Sequence, residues 1–132
     1  MPFVLDASIA VCWAFGDEEH LIATRARERL ADDEARAPSL WWFEVRNALI
    51  AGERRGRILE SEVGGFLQDL ARLPIRLDSE PIETDLLSLA RRHRLAVYDA
   101  AYLELAQREG ALLATLDRAL TLAATAIRVE LV

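Results

Sequence analysis

Apolar and polar positions along the chain change period several times, and each change marks an element. Phe3-Val4-Leu5 is an uninterrupted β-rich run closed by Asp6, and Ser8 then opens an apolar helical stretch through 9–15, so the chain starts as strand, turn and helix. Positions from about 20 to 33 are charged with helical spacing. Arg36-Ala37-Pro38 leads into Leu40-Trp41-Trp42-Phe43-Glu44-Val45-Arg46-Asn47-Ala48-Leu49-Ile50-Ala51, whose helix propensity continues to the breaker at Gly56. Ser61 begins another helix, weakened by Gly64-Gly65. Pro74-Ile75-Arg76-Leu77-Asp78 alternates like a strand, and Pro81 suits the first position of a helix over 82–92. The stretch 98–108 reads as a helix ended by Gly110, 111–115 as a buried strand, 117–124 as a short helix and 127–132 as a final β run.

Strands therefore alternate with helices, and no two strands are joined by a two-residue hairpin. That order predicts one domain over 1–132, a three-layer α/β/α sandwich with a largely parallel central sheet. Composition agrees, since 52% hydrophobic and 29% charged residues are enough for a core and exclude a disordered chain. No apolar run approaches the roughly 18–20 residues needed to cross a bilayer. The opening Met-Pro-Phe-Val-Leu-Asp lacks the basic leader of a signal peptide, so the expectation is a cytoplasmic protein with no membrane role. Cys12, alone in its type, sits in an apolar run and is expected to be a small buried hydrophobe. His20 and His93 begin no zinc motif. All 16 basic residues are arginine, and the absence of lysine excludes a P-loop nucleotide site and Schiff-base catalysis.

Four acids carry the candidate chemistry. In open α/β sheets the ligand crevice lies beyond the carboxyl ends of the strands, where Asp6 follows the first strand and Asp117 the strand at 111–115. Either one, like Asp99 at the start of its helix, also suits an ordinary N-cap. Glu44 has no such role. Its neighbours at i−4, i+4 and i+7 are Leu40, Ala48 and Ala51, with Trp41, Val45 and Leu49 alongside, so it is set into an apolar face, and Arg46 at i+2 points away. Asp99 repeats the pattern with Tyr102, Leu103 and Ala106. Like charges gathered in one crevice repel unless a cation holds them, and oxygen ligands without histidine or thiolate select Mg²⁺, with Mn²⁺ as substitute. Such an ion, single or paired, suits phosphodiester hydrolysis.

Four blocks resemble the signature of the PIN domain, in order: Val4-Leu5-Asp6-Ala7-Ser8, Trp42-Phe43-Glu44-Val45-Arg46-Asn47-Ala48-Leu49, Tyr98-Asp99-Ala100-Ala101-Tyr102-Leu103-Glu104-Leu105-Ala106, and Leu113-Ala114-Thr115-Leu116-Asp117. The resemblance covers essentially the whole chain, whose size is similar to VapC toxins of toxin–antitoxin operons. It implies a Mg²⁺-dependent endoribonuclease with Asp6, Glu44, Asp99 and Asp117 as catalytic metal ligands, and Ser8 and Thr115 as supporting hydroxyls. It further implies a homodimer, an RNA substrate and a VapB-type antitoxin that lays a segment across the groove, with operator DNA reached only through that antitoxin. The family's fourth acidic position is its most variable, which concerns Asp117.

A stand-alone RNA-processing nuclease and a catalytically silent RNA- or partner-binding module are the alternatives within this fold. A haloacid-dehalogenase-type phosphatase needs Asp-x-Asp after the first strand and a later lysine, against Asp6-Ala7-Ser8 and no lysine here; a receiver module also lacks its lysine. The net charge of −6 is unusual for an RNA-binding surface, so phosphate contacts would fall to arginine groups such as Arg54-Arg55-Gly56-Arg57 and Arg91-Arg92-His93-Arg94. Adjacent helix positions point about 100° apart, so one of Trp41 and Trp42 should fill the core and the other reach a partner.

Overall fold

A computed structural model describes residues 1–15 and 20–132. Four parallel strands, β1 (Phe3–Leu5), β2 (Ala35–Pro38), β3 (Ile75–Asp78) and β4 (Leu112–Ala114), lie in the order β3-β2-β1-β4. Among the described residues seven helices connect and cover them: α1 (Ala7–Ala14), α2 (Leu21–Arg29), α3 (Leu40–Arg54), α4 (Glu60–Ala71), α5 (Glu83–His93), α6 (Val97–Glu109) and α7 (Arg118–Ala126). This is the three-layer α/β/α arrangement that the alternation of elements predicts. Among the described residues, no helix is long and apolar enough to cross a membrane.

Sequence explains which strand is central. All three residues of β1 are fully buried, as the unbroken Phe-Val-Leu run requires of a strand covered on both faces. β3 has no fully buried side chain, Ile75 and Asp78 being half-buried and Arg76 and Leu77 exposed, the mark of an edge. The chain runs outward from β1 through β2 to β3 and then crosses to β4 on the other side of β1. A topological switch point therefore lies between β1 and β4, where the connections leave in opposite directions and open a crevice.

Several local expectations are corrected. β2 was not anticipated as a strand, because Ala-Arg-Ala-Pro carries no β-branched or aromatic residue. It is a strand because Ala35 and Ala37 are small and fully buried between neighbours on both sides. α4 starts at Glu60 rather than at Ser61: the Glu62 carboxylate accepts from the Leu59 amide at 2.9 Å, closing the first turn from inside. Pro81 precedes the N-cap Ile82 instead of opening α5, whose first turn holds Glu83 and Asp85. The β run expected over 127–132 shrinks to one parallel bridge between Leu131 and Leu113, because α7 runs on to Ala126 and Arg128 takes a left-handed φ of 61°. Gly110 ends α6 at φ 59°, as expected of a residue free to enter the left-handed region. Cys12 is buried, Trp41 is 4% exposed and Trp42 44% exposed, so the first tryptophan is the core residue.

Candidate functional site

The switch point positions the acids. Asp6 follows β1 directly and its amide donates to Ala114 O at 3.0 Å, continuing the β1–β4 pairing by one residue. Although Asp6 holds the N-cap position of α1, its side chain caps nothing. Instead the Ser8 hydroxyl donates to Oδ2 at 2.6 Å and the Thr115 hydroxyl to the same oxygen at 2.7 Å. These hydroxyls are themselves fixed, since Ser8 Oγ accepts from the Leu116 amide and Thr115 Oγ1 from the Asp117 amide, both at 3.0 Å. The carboxylate is thus oriented by the turns that end β1 and β4. Burial pushes its carboxyl above the usual range, the Ser8, Thr115 and Ala7 donors hold it partly down, and Asp117 adds repulsion.

Glu44 comes from the first half of α3. Trp41, Val45 and Leu49 bury one face of that helix, leaving Glu44 half-buried on the flank. The Tyr102 hydroxyl, from α6, donates to Glu44 Oε1 at 2.5 Å. Desolvation raises the Glu44 carboxyl, Tyr102 lowers it, and repulsion from Asp6 and Asp99 raises it again. Asp99 is the third residue of α6, behind the N-cap Ala96, so the N-cap reading does not hold for it. Burial first, then Asp117 and Asp6, raise its carboxyl too. Three acids from three elements therefore lie close enough to repel one another, and among the described residues no arginine enters among the influences on them. Arg46 points elsewhere, as its i+2 position requires: it donates to Trp42 O at 3.1 Å and lies 3.9 Å from the Trp42 ring centroid.

Asp117 differs from the other three. Its Oδ1 accepts from the Leu120 amide at 2.9 Å, the N-cap bond of α7, while its charge still bears on Asp6 and Asp99. It has the structural role and the proximity together.

Glu104 provides an internal contrast. This fifth inward acid is 2% exposed, yet Arg108, one turn later, grips it through Nε at 2.8 Å and Nη2 at 3.0 Å. The same guanidinium holds Asp78 at the end of β3 at 2.7 Å. An i,i+4 arginine explains this acid as structure; Glu44 and Asp99 have no counterpart. The sequence reading missed two residues here, Tyr102 as the donor to Glu44 and Arg108 as the clasp between α6 and the sheet edge. The signals were a tyrosine on an inward helix face, whose hydroxyl needs a partner, and the Glu-to-Arg spacing itself.

The donor set suits a hard divalent cation: carboxylates that repel one another, with no thiolate or imidazole among them. Among the described residues no three His, Cys, Asp or Glu side chains form a ready-made cage. Mg²⁺ does not need one, because it keeps several waters and is bound through one or two carboxylates together with substrate phosphate.

A parallel sheet with acids gathered at its switch point matches one family, and the family model described as PIN domain covers residues 3–126. The chain belongs to the PIN-domain family. It is 35% identical over 124 residues to Ribonuclease VapC3 of Pyrobaculum aerophilum, covering 91% of this chain and 92% of that protein. To Ribonuclease VapC3 of Mycobacterium tuberculosis it is 34% identical over 119 residues, or 89% of this chain and 83% of the relative. The crystal structure of PAE2754 from Pyrobaculum aerophilum superposes with a TM-score of 0.73 at 22% identity, covering 93% of this chain and 84% of that one, and supports the fold.

Proposed function

We propose that this chain is a divalent-cation-dependent endoribonuclease, the toxin of a VapBC-type pair, acting through Asp6, Glu44 and Asp99 with Asp117 as an auxiliary acid. The observation that carries this reading is the set of three inward acids, from the end of β1, α3 and α6, with no positive partner among the described residues, in a protein that pairs another inward acid, Glu104, with arginine. The relatives named Ribonuclease VapC3 support RNA as substrate. A bound Mg²⁺ or Mn²⁺ would acidify a water and offset charge on the phosphoryl group. Asp6, held at Oδ2 by the Ser8 and Thr115 hydroxyls, and Glu44, held by the Tyr102 hydroxyl, would hold that cation together with Asp99. A homodimer and a VapB-type antitoxin covering the crevice complete the reading, with operator DNA contacted only through the antitoxin and a cytoplasmic site of action.

Incubation of the full chain with RNA, with Mg²⁺ or with EDTA, tests it. Cleavage should require the cation and should vanish in Asp99→Asn and Glu44→Gln. Cleavage that survives EDTA or both substitutions would remove the assignment.

A further inference from the structure

A cavity of about 490 Å³ opens at the end of the sheet opposite the acids. Its wall is made by the residues that precede β1 and begin β4 and by the ends of α2, α6 and α7, whereas Asp6 and Asp117 follow the carboxyl ends of the same two strands. Its volume lies within the range of pockets that hold small molecules. Leu112 and Ile127, both half-buried, give it an apolar surface that the neighbouring elements leave uncovered. Arg29, Gln107, Arg128 and Glu130 supply its polar side chains. Among the described residues Gln107, Arg128 and Glu130 make no side-chain hydrogen bond or ion pair. Arg29 meets Asp33 Oδ2 at 3.2 Å, out of line with its N–H, so the buried Nε is left without a hydrogen-bond acceptor.

Both α6 and α7 end in the left-handed region at this cavity, α6 at Gly110 with φ 59° and α7 at Arg128 with φ 61°. Glycine enters that region freely, whereas an L side chain there is uncommon and strained. The turn after α7 closes as a glycine would close it, the Val129 amide donating to Ala124 O at 2.9 Å, so what arginine adds is a guanidinium at the cavity. Attractions of both signs meet there. The Arg29 and Arg128 guanidiniums draw an anion, while Glu130 and the carboxyl ends of three helices, the negative poles of their dipoles, draw a cation. A simple anion would face Glu130 and the helix ends, and a simple cation would face two arginines. We propose that this cavity binds a free α-amino acid with an apolar side chain, its carboxylate held by Arg29 and Arg128, its ammonium by Glu130 and the helix-end carbonyls, and its side chain against Leu112 and Ile127.

Isothermal titration of the full chain with L-leucine, leucinamide, 4-methylpentanoate and glycine tests each contact, because the last three lack the carboxylate, the ammonium and the side chain in turn. L-Leucine should saturate one site, and each of the other three should bind about 10- to 150-fold more weakly, the range for losing one contact to a charged group or one buried aliphatic side chain. Arg128→Gly should weaken L-leucine to the level of leucinamide and leave leucinamide unchanged. Its melting temperature should match or exceed the parent's, since glycine relieves the left-handed turn, so lost binding is not lost folding. Glu130→Gln should weaken L-leucine to the level of 4-methylpentanoate and leave 4-methylpentanoate unchanged. Asp99→Asn, at the other end of the sheet, should bind L-leucine as the parent does, whether or not the chain cleaves RNA. No saturation by about 10 mM L-leucine, or parental affinity in both Arg128→Gly and Glu130→Gln, would overturn the proposal. So would 4-methylpentanoate or leucinamide binding as tightly as L-leucine, which would make this a site for a simple anion or cation, and so would glycine binding as tightly, which would remove the apolar contact. Should Arg128→Gly melt below the parent, Glu130→Gln, an exposed position without a side-chain hydrogen bond, decides between the same outcomes.

Discussion

Tyr102→Phe removes one oxygen from a fully buried ring and leaves the packing of α6 otherwise intact, so its effect isolates the hydrogen bond to Glu44. A hydrogen bond to a charged acceptor contributes about 1.5–3 kcal/mol, and because Glu44 is half-buried, water replaces part of what is lost. The expected cost is therefore near the lower end, about 1.5–2 kcal/mol, or roughly 5–10 °C in melting temperature for a domain of this size. Without the donor, the Glu44 carboxyl should move further up, since Tyr102 is what opposes burial and the repulsion of Asp6 and Asp99 there. Cleavage should fall about 10- to 100-fold, the usual effect of losing a group that orients a metal-binding side chain. Denaturant unfolding of Tyr102→Phe, Glu44→Ala and the double variant reads the coupling directly. A coupling below about 0.3 kcal/mol, within ordinary additivity, or full activity in Tyr102→Phe, would refute the idea that Tyr102 positions Glu44.

Asp6→Asn and Asp99→Asn should leave the apo protein as stable as the parent or more so, by thermal melting, because each removes a like charge that burial already penalises. Asp117→Ala should instead lose about 1 kcal/mol as the cap of α7 opens, with a milder loss of cation-dependent cleavage. Arg108→Met strands buried Glu104 and should cost about 3–5 kcal/mol in urea unfolding. Arg108 also holds the Asp78 carboxyl below its usual range, so that pair contributes stability above the unfolded carboxyl value of about 4 and loses it as pH falls through the lower folded value. Acid titration of stability should accordingly lose its Asp78-dependent component in Arg108→Met, and an unchanged acid limb would contradict the assignment.

Period and punctuation carried most of the fold. Phe3-Val4-Leu5 could be nothing but a buried strand, Gly110 marked the end of α6, and 40–51 read as the helix found over 40–54, while the pattern left open which of Trp41 and Trp42 fills the core. Reading failed where tertiary context outweighs local preference. β2 is held by neighbours on both sides rather than by its own residues, and the last six residues resemble a strand yet pair at one position because α7 and the turn at Arg128 use up the chain. At the site, helical spacing sufficed to turn Glu44 away from solvent, but it left the Glu104–Arg108 pair unread and could not bring Tyr102 to Glu44 across 58 positions. That contact depends on how α6 crosses α3, which no local pattern encodes.

The way the acids are supported separates chemistry from architecture more sharply than burial does. Glu104 is the most buried of them, and every donor it has comes from a permanently charged arginine, so its environment is complete without any ligand. Among the described residues Asp6 and Glu44 are supported by neutral donors alone, the hydroxyls of Ser8, Thr115 and Tyr102 and the Ala7 amide, which fix direction without cancelling charge. Neutral donors orient a carboxylate at a modest energetic gain, whereas an arginine would neutralise it and compete with any cation for the same oxygens. Supporting an acid by neutral donors alone therefore leaves its negative charge available, at the cost of repulsion between neighbours in the apo state. Ser8 Oγ and Thr115 Oγ1 each accept from a backbone N–H while donating their proton to Asp6, so the orientation is set by the turns after β1 and β4 and follows the sheet rather than the surface. The proposed cation site rests on that combination of fixed direction and uncancelled charge.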